Sequence, residues 1–197
     1  MNQDQLNELL YQALETEIGG VQVYENAVKC AQNEDLKKEW QKYLEETKKH
    51  VEIVRHVFEG VGLDPETETP GRQIVREKAQ TLVKSMQTAL QAGDPAAAQL
   101  VAAEAVVDAE TKDHQNWELI GIVIEETTGE TKKYLKEAHE EVEEQEDEHL
   151  YHTMGWAREL WIESLGLKAV LPPPEEEKDV KTAIGQARAK NARNQMK

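Results

Sequence analysis

The chain has 197 residues, enough for one substantial hydrophobic core and at most a short appendage. Lys and Arg number 23 against 39 Asp and Glu, a net charge of -16. A surface that acidic repels nucleic acid and anionic membranes, so neither is an expected partner.

The first predicted helix covers about 4–32. Its apolar stripe is Leu10, Ala13, Glu17, Val21, Tyr24, Val28 and Ala31, in alternating steps of three and four. Gly19 and Gly20 lie mid-helix, at a cost of about 1 kcal/mol each against Ala. They either permit close helix approach or make room for a tryptophan. Asn33 breaks the helix and can cap a second one over 34–61. The inward residues of that second helix are Leu36, Trp40, Tyr43, Leu44, Thr47, Val51, Val54 and Phe58. The segment GVGLDPETETPG is a stop and loop.

A further amphipathic stretch covers 72–91. Asp94 and Pro95 then open the next helix as N-cap and first helical residue. This helix runs to about 128, with Leu100, Ala103, Val107, Glu110, His114, Trp117 and Ile124 on one stripe; Gly129 is a natural C-cap. The last long helix covers about 130–165, with Leu135, Ala138, Val142, Glu146, His149, Trp156 and Leu160 inward.

Two antiparallel hairpins joined by a long helical crossover make an all-α four-helix bundle over 1–171. A helix of 20 residues is about 30 Å long, enough to carry the chain from one end of such a bundle to the other. Residues 172–197 are rich in proline and charge. They read as a mobile tail, or as an arm for assembly into a homo-oligomer, a dimer first. Cys30, the single cysteine, excludes an intramolecular disulfide and a cysteine-rich zinc site. No run reaches the roughly 20 apolar residues that span a bilayer, and MNQDQLNELLYQ lacks the order of a signal peptide. A soluble cytoplasmic protein is the expectation.

The chemistry lies in acidic residues inside the apolar stripes. Glu17 and Glu110 each precede an aromatic by seven residues, and Glu46 with His50 and Glu146 with His149 form pairs one helical turn apart. Depth along each hairpin shows which of them meet. Glu17 is sixteen residues before Asn33, and sixteen after it is position 49, beside His50. Glu110 is nineteen before Gly129, and nineteen after it is position 148, beside His149. Buried carboxylates need partners, and iron and manganese accept mixed carboxylate and imidazole ligands. One Glu from each of two helices with a Glu and His pair from each of the other two is a dinuclear arrangement. Glu17, Glu46, His50, Glu110, Glu146 and His149 are therefore the candidate ligands of a dinuclear iron or manganese centre. Asp113 and His114 stand beside it as candidates to orient the histidines. Tyr24 and Trp117 read as core packing, and His56, His139 and His152 as surface or structural histidines.

These residues resemble the ferritin-like superfamily, in particular the YciF-like family of bacterial stress proteins and, more distantly, rubrerythrins. The resemblance covers about 5–150. It rests on Asn33 to Leu36, on Leu44 to Thr47 leading to Phe58-Glu59-Gly60, and on the Ala-rich start of the helix after Asp94. There the family's Glu-x-x-Glu-x-x-x-Tyr stands as Glu110, Asp113 and Trp117. The resemblance implies a ferritin-like fold in which Glu17, Glu46, Glu110 and a carboxylate of the last long helix hold metal. It also implies an oxidoreductase or oxidant-scavenging role in stress. Thr47 stands where Glu-x-x-His would place a glutamate, so Glu46 to His50 is one residue wider. The run EEVEEQEDEH lets Glu144 or Glu148 replace Glu146. The tail has no counterpart in the family. The competing reading is a binding or structural module with a degenerate site, acting through assembly or its tail. Ferritin-type storage needs a closed cage that nothing in the sequence specifies.

Overall fold

A computed structural model describes residues 1–177 and 181–196. Among these the chain forms α1 (Gln3–Cys30), α2 (Glu34–Val61), α3 (Pro70–Gln91), α4 (Pro95–Glu126), α5 (Gly129–Ser164), a 3-10 turn at Pro174–Glu176 and α6 (Thr182–Gln195), with no strand.

Local chemistry sets the helix starts. The Asn33 side chain accepts from the backbone N–H of Asp35 and Leu36 at 2.9 and 3.2 Å. Asp94 accepts from Ala97 N–H at 3.1 Å, with Pro95 in the first turn. Thr69 and Pro70 do the same for α3, which therefore starts two residues before the amphipathic stretch that betrays it. The expectation for Gly129 needs correction. Thr127 caps α4, while Gly129 opens α5 with φ 69°, the left-handed residue that so short a connection requires. Gln99 fastens the other hairpin turn, its Oε1 accepting from both Gln32 and Asn33 N–H at 2.7 Å.

The long helices pack in a ring, α1 on α2, α2 on α5, α5 on α4 and α4 on α1. The crossover helix α3, about 33 Å long, lies along α1 and α4. The mid-helix glycines serve this packing. A Cβ on Gly19 would stand 2.6 Å from Ala79 Cβ of α3, and one on Gly20 would stand 3.1 Å from Thr47 of α2. Close helix approach is thus the reading that holds. Glu15 completes the α1–α3 contact: buried, it receives Arg72 Nε at 2.6 Å and Arg76 Nε at 2.7 Å.

The core has two apolar halves. One contains Tyr24, Leu36, Trp40, Tyr43, Met86 and Trp156; the other contains Leu10, Leu14, Phe58, Trp117, Ile120 and Leu135. The buried polar residues of α1, α2, α4 and α5 belong to neither half.

Where it is described, the segment expected as a mobile tail or an assembly arm packs against the bundle. Its 3-10 turn and α6 both pack on α5. Glu159, fully buried, accepts from Val170 N–H at 2.8 Å and from Arg193 at 2.7 Å. Arg158 pairs with Glu175. Residues 178–180 and 197 lie outside the described residues. No described helix is long and apolar enough to cross a membrane.

Candidate metal centre

Each helix of the ring contributes to one buried polar group. Glu17 comes from α1, His50 from α2, Glu110 and Asp113 from α4, and Glu146 and His149 from α5; all are at most 4% exposed. His50 Nδ1 lies 3.5 Å from Glu17 Oε2 and 3.0 Å from Glu146 Oε1. His149 Nδ1 lies 3.8 Å from Glu110 Oε2 and 3.7 Å from the same Glu146 Oε1. The side chains thus form two overlapping triads, Glu17–His50–Glu146 and Glu110–Glu146–His149, each with ligand atoms within 4.8 Å of one another. Glu146 belongs to both.

The fit to cations is testable on these distances. Ligands at about 2.1 Å from one ion stand roughly 3.0 Å apart at right angles and 3.4 Å apart in a tetrahedron. The two histidine–carboxylate edges of the first triad have that spacing, and those of the second are a few tenths of an ångström wider. Unmet hydrogen-bonding capacity points the same way. Glu17 Oε2, His50 Nδ1, Glu110 Oε2, Asp113 Oδ1, Glu146 Oε2 and His149 Nδ1 are all buried with no hydrogen-bond partner. A protein interior rarely tolerates one such atom, and each isolated example costs about 1–3 kcal/mol.

The electrostatics show the strain of this packing. Burial, then the charges of Glu146 and Glu17, hold the Glu110 carboxyl well above its ordinary range. Burial, then Glu17, Glu146 and Glu110, do the same to Asp113. Burial also raises Glu17, against the pull of His50. For His50 burial opposes the charge, but Glu17 and Glu146 outweigh it and push the imidazole up to about 11.

A second set of groups fixes the first. His50 Nε2 is 2.8 Å from Gln145 Oε1, and His149 Nε2 is 3.1 Å from Glu46 Oε2. Both rings therefore anchor Nε2 outside and turn Nδ1 inward. Trp117 Nε1 donates to Glu17 Oε1 at 3.0 Å, so the indole holds the carboxylate as well as packing the core. The Tyr24 ring meets His149 edge-on, with centroids 6.0 Å apart.

The remaining sequence candidates divide. Glu46 is near the group but meets it from behind, through the outer nitrogen of His149, and is absent from both triads. The inward residue one turn before His50 is Thr47, whose hydroxyl donates to Tyr43 C=O at 2.8 Å. Asp113, expected to orient the histidines or to replace a ligand, stands in the buried group. His114 faces Glu118 at 3.6 Å and Asp147 at 3.5 Å instead. Glu148 binds Lys42 at 2.9 Å, and Glu144 is exposed. His56 is exposed, and His139 pairs with Glu143 at 3.3 Å.

Sequence reasoning missed one cluster. His152 is 13% exposed, and its Nδ1 lies 3.0 Å from Glu39 Oε1 and 3.9 Å from Glu176 Oε2. Glu39 is four residues before Tyr43, on the stripe's edge, and Glu176 comes from the segment after the bundle. Only the tertiary fold brings them together.

No curated protein and no solved structure matches the chain. A family profile does match residues 2–110, more than half the chain, from α1 as far as Glu110. Its description is "Domain of unknown function (DUF892)", and the family is ferritin-like. The chain, a helical bundle with buried carboxylate and histidine groups that could hold metal, belongs to the DUF892 family.

Proposed function

We propose that the protein binds a dinuclear iron or manganese centre and acts in oxidative stress as an oxidoreductase of the ferritin-like type, close to the YciF-like proteins. The observation that carries this reading is the pair of overlapping buried triads drawn from four helices, each with its ligand atoms within 4.8 Å of one another. The proposed ligands are Glu17, His50, Glu110, Asp113, Glu146 and His149. Asp113 makes up the carboxylate that Thr47 does not supply. Four carboxylates then balance two divalent ions. Bound there, the pair of ions would supply redox chemistry toward oxygen or peroxide.

The chain's own groups do the rest. Gln145 and Glu46 set the ring orientation of the histidines, and Trp117 holds Glu17. The apolar core halves exclude bulk water, which strengthens every electrostatic contact inside. In the competing reading the protein is a binding module in which protons take the place of cations. The position of His50 between Glu17 and Glu146 favours it.

The two readings part in one experiment. Protein is expressed in medium supplemented with iron and manganese, and its metal content and peroxide consumption are measured. The metal reading expects about two ions in the interior of each chain, and a reduced metal content with loss of turnover in Glu17→Ala. Metal-free protein whose melting temperature does not move on adding either ion would sink it.

A further inference from the structure

Outside the interior centre, Glu39 of α2, His152 of α5 and Glu176 of the 3-10 turn bring one ligand atom each within 4.8 Å. The cluster lies nearer the surface than the interior group, its side chains 11, 13 and 28% exposed. The 3.0 Å separation between His152 Nδ1 and Glu39 Oε1 is that of neighbouring ligands on one ion about 2.1 Å away. The separation to Glu176 Oε2, 3.9 Å, is about 0.5 Å beyond that of a tetrahedral ligand pair.

Among the described residues the charges around it do not balance. Trp156 Nε1 donates to Glu39 Oε2 at 2.9 Å and also to Glu176, so one neutral N–H is shared between two carboxylates. Tyr43 O–H donates to Glu39 Oε1 at 2.5 Å. Lys42 is engaged by Glu148 at 2.9 Å and Glu46 at 3.7 Å. The adjacent Glu175 has an arginine, Arg158, as its partner; Glu176 has none among the described residues. Neighbouring carboxylates in one turn are thus treated differently: one is neutralised by the protein, the other is aimed at a second carboxylate and a histidine.

The turn is held in place without an ion. Glu175 is fully buried between Gly155 and Gly185, where an added Cβ would stand 2.8 Å and 2.0 Å from its carboxyl group. That clamp presents Glu176 in advance, as a binding site requires.

We propose that Glu39, His152 and Glu176 form a second, mononuclear site for a divalent first-row transition metal, which fastens the C-terminal segment to α2 and α5. Its ligand set of one imidazole and two carboxylates suits manganese, iron, cobalt or zinc and leaves positions open to water. The Tyr43 ring links it to the interior, with its centroid 4.2 Å from that of His149. Because one ligand lies beyond the bundle, occupancy and docking of the C-terminal segment are thermodynamically linked: each favours the other.

Cobalt(II) is the probe, on the full-length chain. Ions bound per chain are counted by equilibrium dialysis, and trypsin cleavage at Lys181 is timed with and without cobalt. The parent should bind one ion more than Glu176→Gln and Glu39→Gln, and cobalt should slow the cleavage of the parent but of neither of these two variants. Glu110→Gln, which disturbs only the interior centre, should keep the rim ion. A chain that binds a single ion, lost in Glu176→Gln and kept in Glu110→Gln, would support the rim site while removing the interior one. Equal ion counts and affinities in the parent, Glu176→Gln and Glu39→Gln would overturn the proposal.

Discussion

His50 and His149 turn the same ring nitrogen, Nδ1, toward one oxygen of Glu146, at 3.0 and 3.7 Å. Their rings lie nearly parallel, 5.7 Å apart between centroids and inclined by 23°. Each belongs to a different hairpin, and each has a different outer partner on Nε2. The carboxylate between them is the joint of the two halves of the site.

Glu146 and Glu17 should therefore fail differently. Glu146→Ala removes a ligand from both triads and should abolish binding of both interior ions. Glu17→Ala should weaken the His50 side first and leave residual occupancy beside Glu110 and His149. Metal analysis of the two purified variants decides it; equal residual occupancy would contradict the shared role of Glu146.

Metal uptake should release protons. Metal ligands bind deprotonated. In the metal-free chain His50 is pushed up to about 11, and Glu110 and Asp113 are held well above ordinary carboxylates. At pH 7 His50 keeps a proton that cations must displace, and the raised carboxyls add to the competition, so affinity should climb with pH and at least one proton should leave per chain. Calorimetry in buffers of different ionisation heat measures that number.

The outer partners should tune affinity without changing stoichiometry. Gln145→Ala frees His50 Nε2, and Glu46→Ala frees His149 Nε2. Each should weaken binding by about 10- to 100-fold at an unchanged ion count. Loss of an ion in Glu46→Ala would instead make Glu46 a ligand.

Glu15→Ala should destabilise the protein by about 3–5 kcal/mol in urea unfolding, because it strands buried Arg72. Burial opposes the Glu15 charge, but Arg76 and Arg72 outweigh it and hold the carboxyl below its usual 4.5. A depressed carboxyl stabilises the fold above its unfolded value, and that contribution fades as pH falls through the folded one. The gap between parent and variant should thus be full at pH 7 and shrink as pH drops below about 4.

Gly19→Ala should lower the melting temperature, although alanine favours helix by about 1 kcal/mol. The new methyl would meet Ala79 at 2.6 Å and push α3 from α1, a strain of about 1–3 kcal/mol. Adding Ala79→Gly should restore most of the loss. An unchanged melting temperature would show that α3 moves freely.

Much of this was legible in the chain itself. Asn33 and Asp94 carry the signals for two helix starts, and the three-four spacing of apolar residues marks the long helices. Equal distance from a hairpin turn pairs Glu17 with His50 and Glu110 with His149, and these pairs lie 3.5 and 3.8 Å apart. Such features are local, or follow from helix rise and pitch alone.

Packing decided the rest. Glu46, Thr47, Asp113 and Glu146 all sit on helices dense in carboxylates and polar groups, and their order in the chain does not fix how far each helix is rotated about its axis. That rotation is set by the neighbours each helix packs against. It turns Thr47 inward and leaves Glu46 behind His149. The same holds for Glu15 with Arg72, and for Glu39 with His152 and Glu176. Partners far apart in sequence have no periodicity to reveal them, because only burial against a third element gives each charge its counterpart.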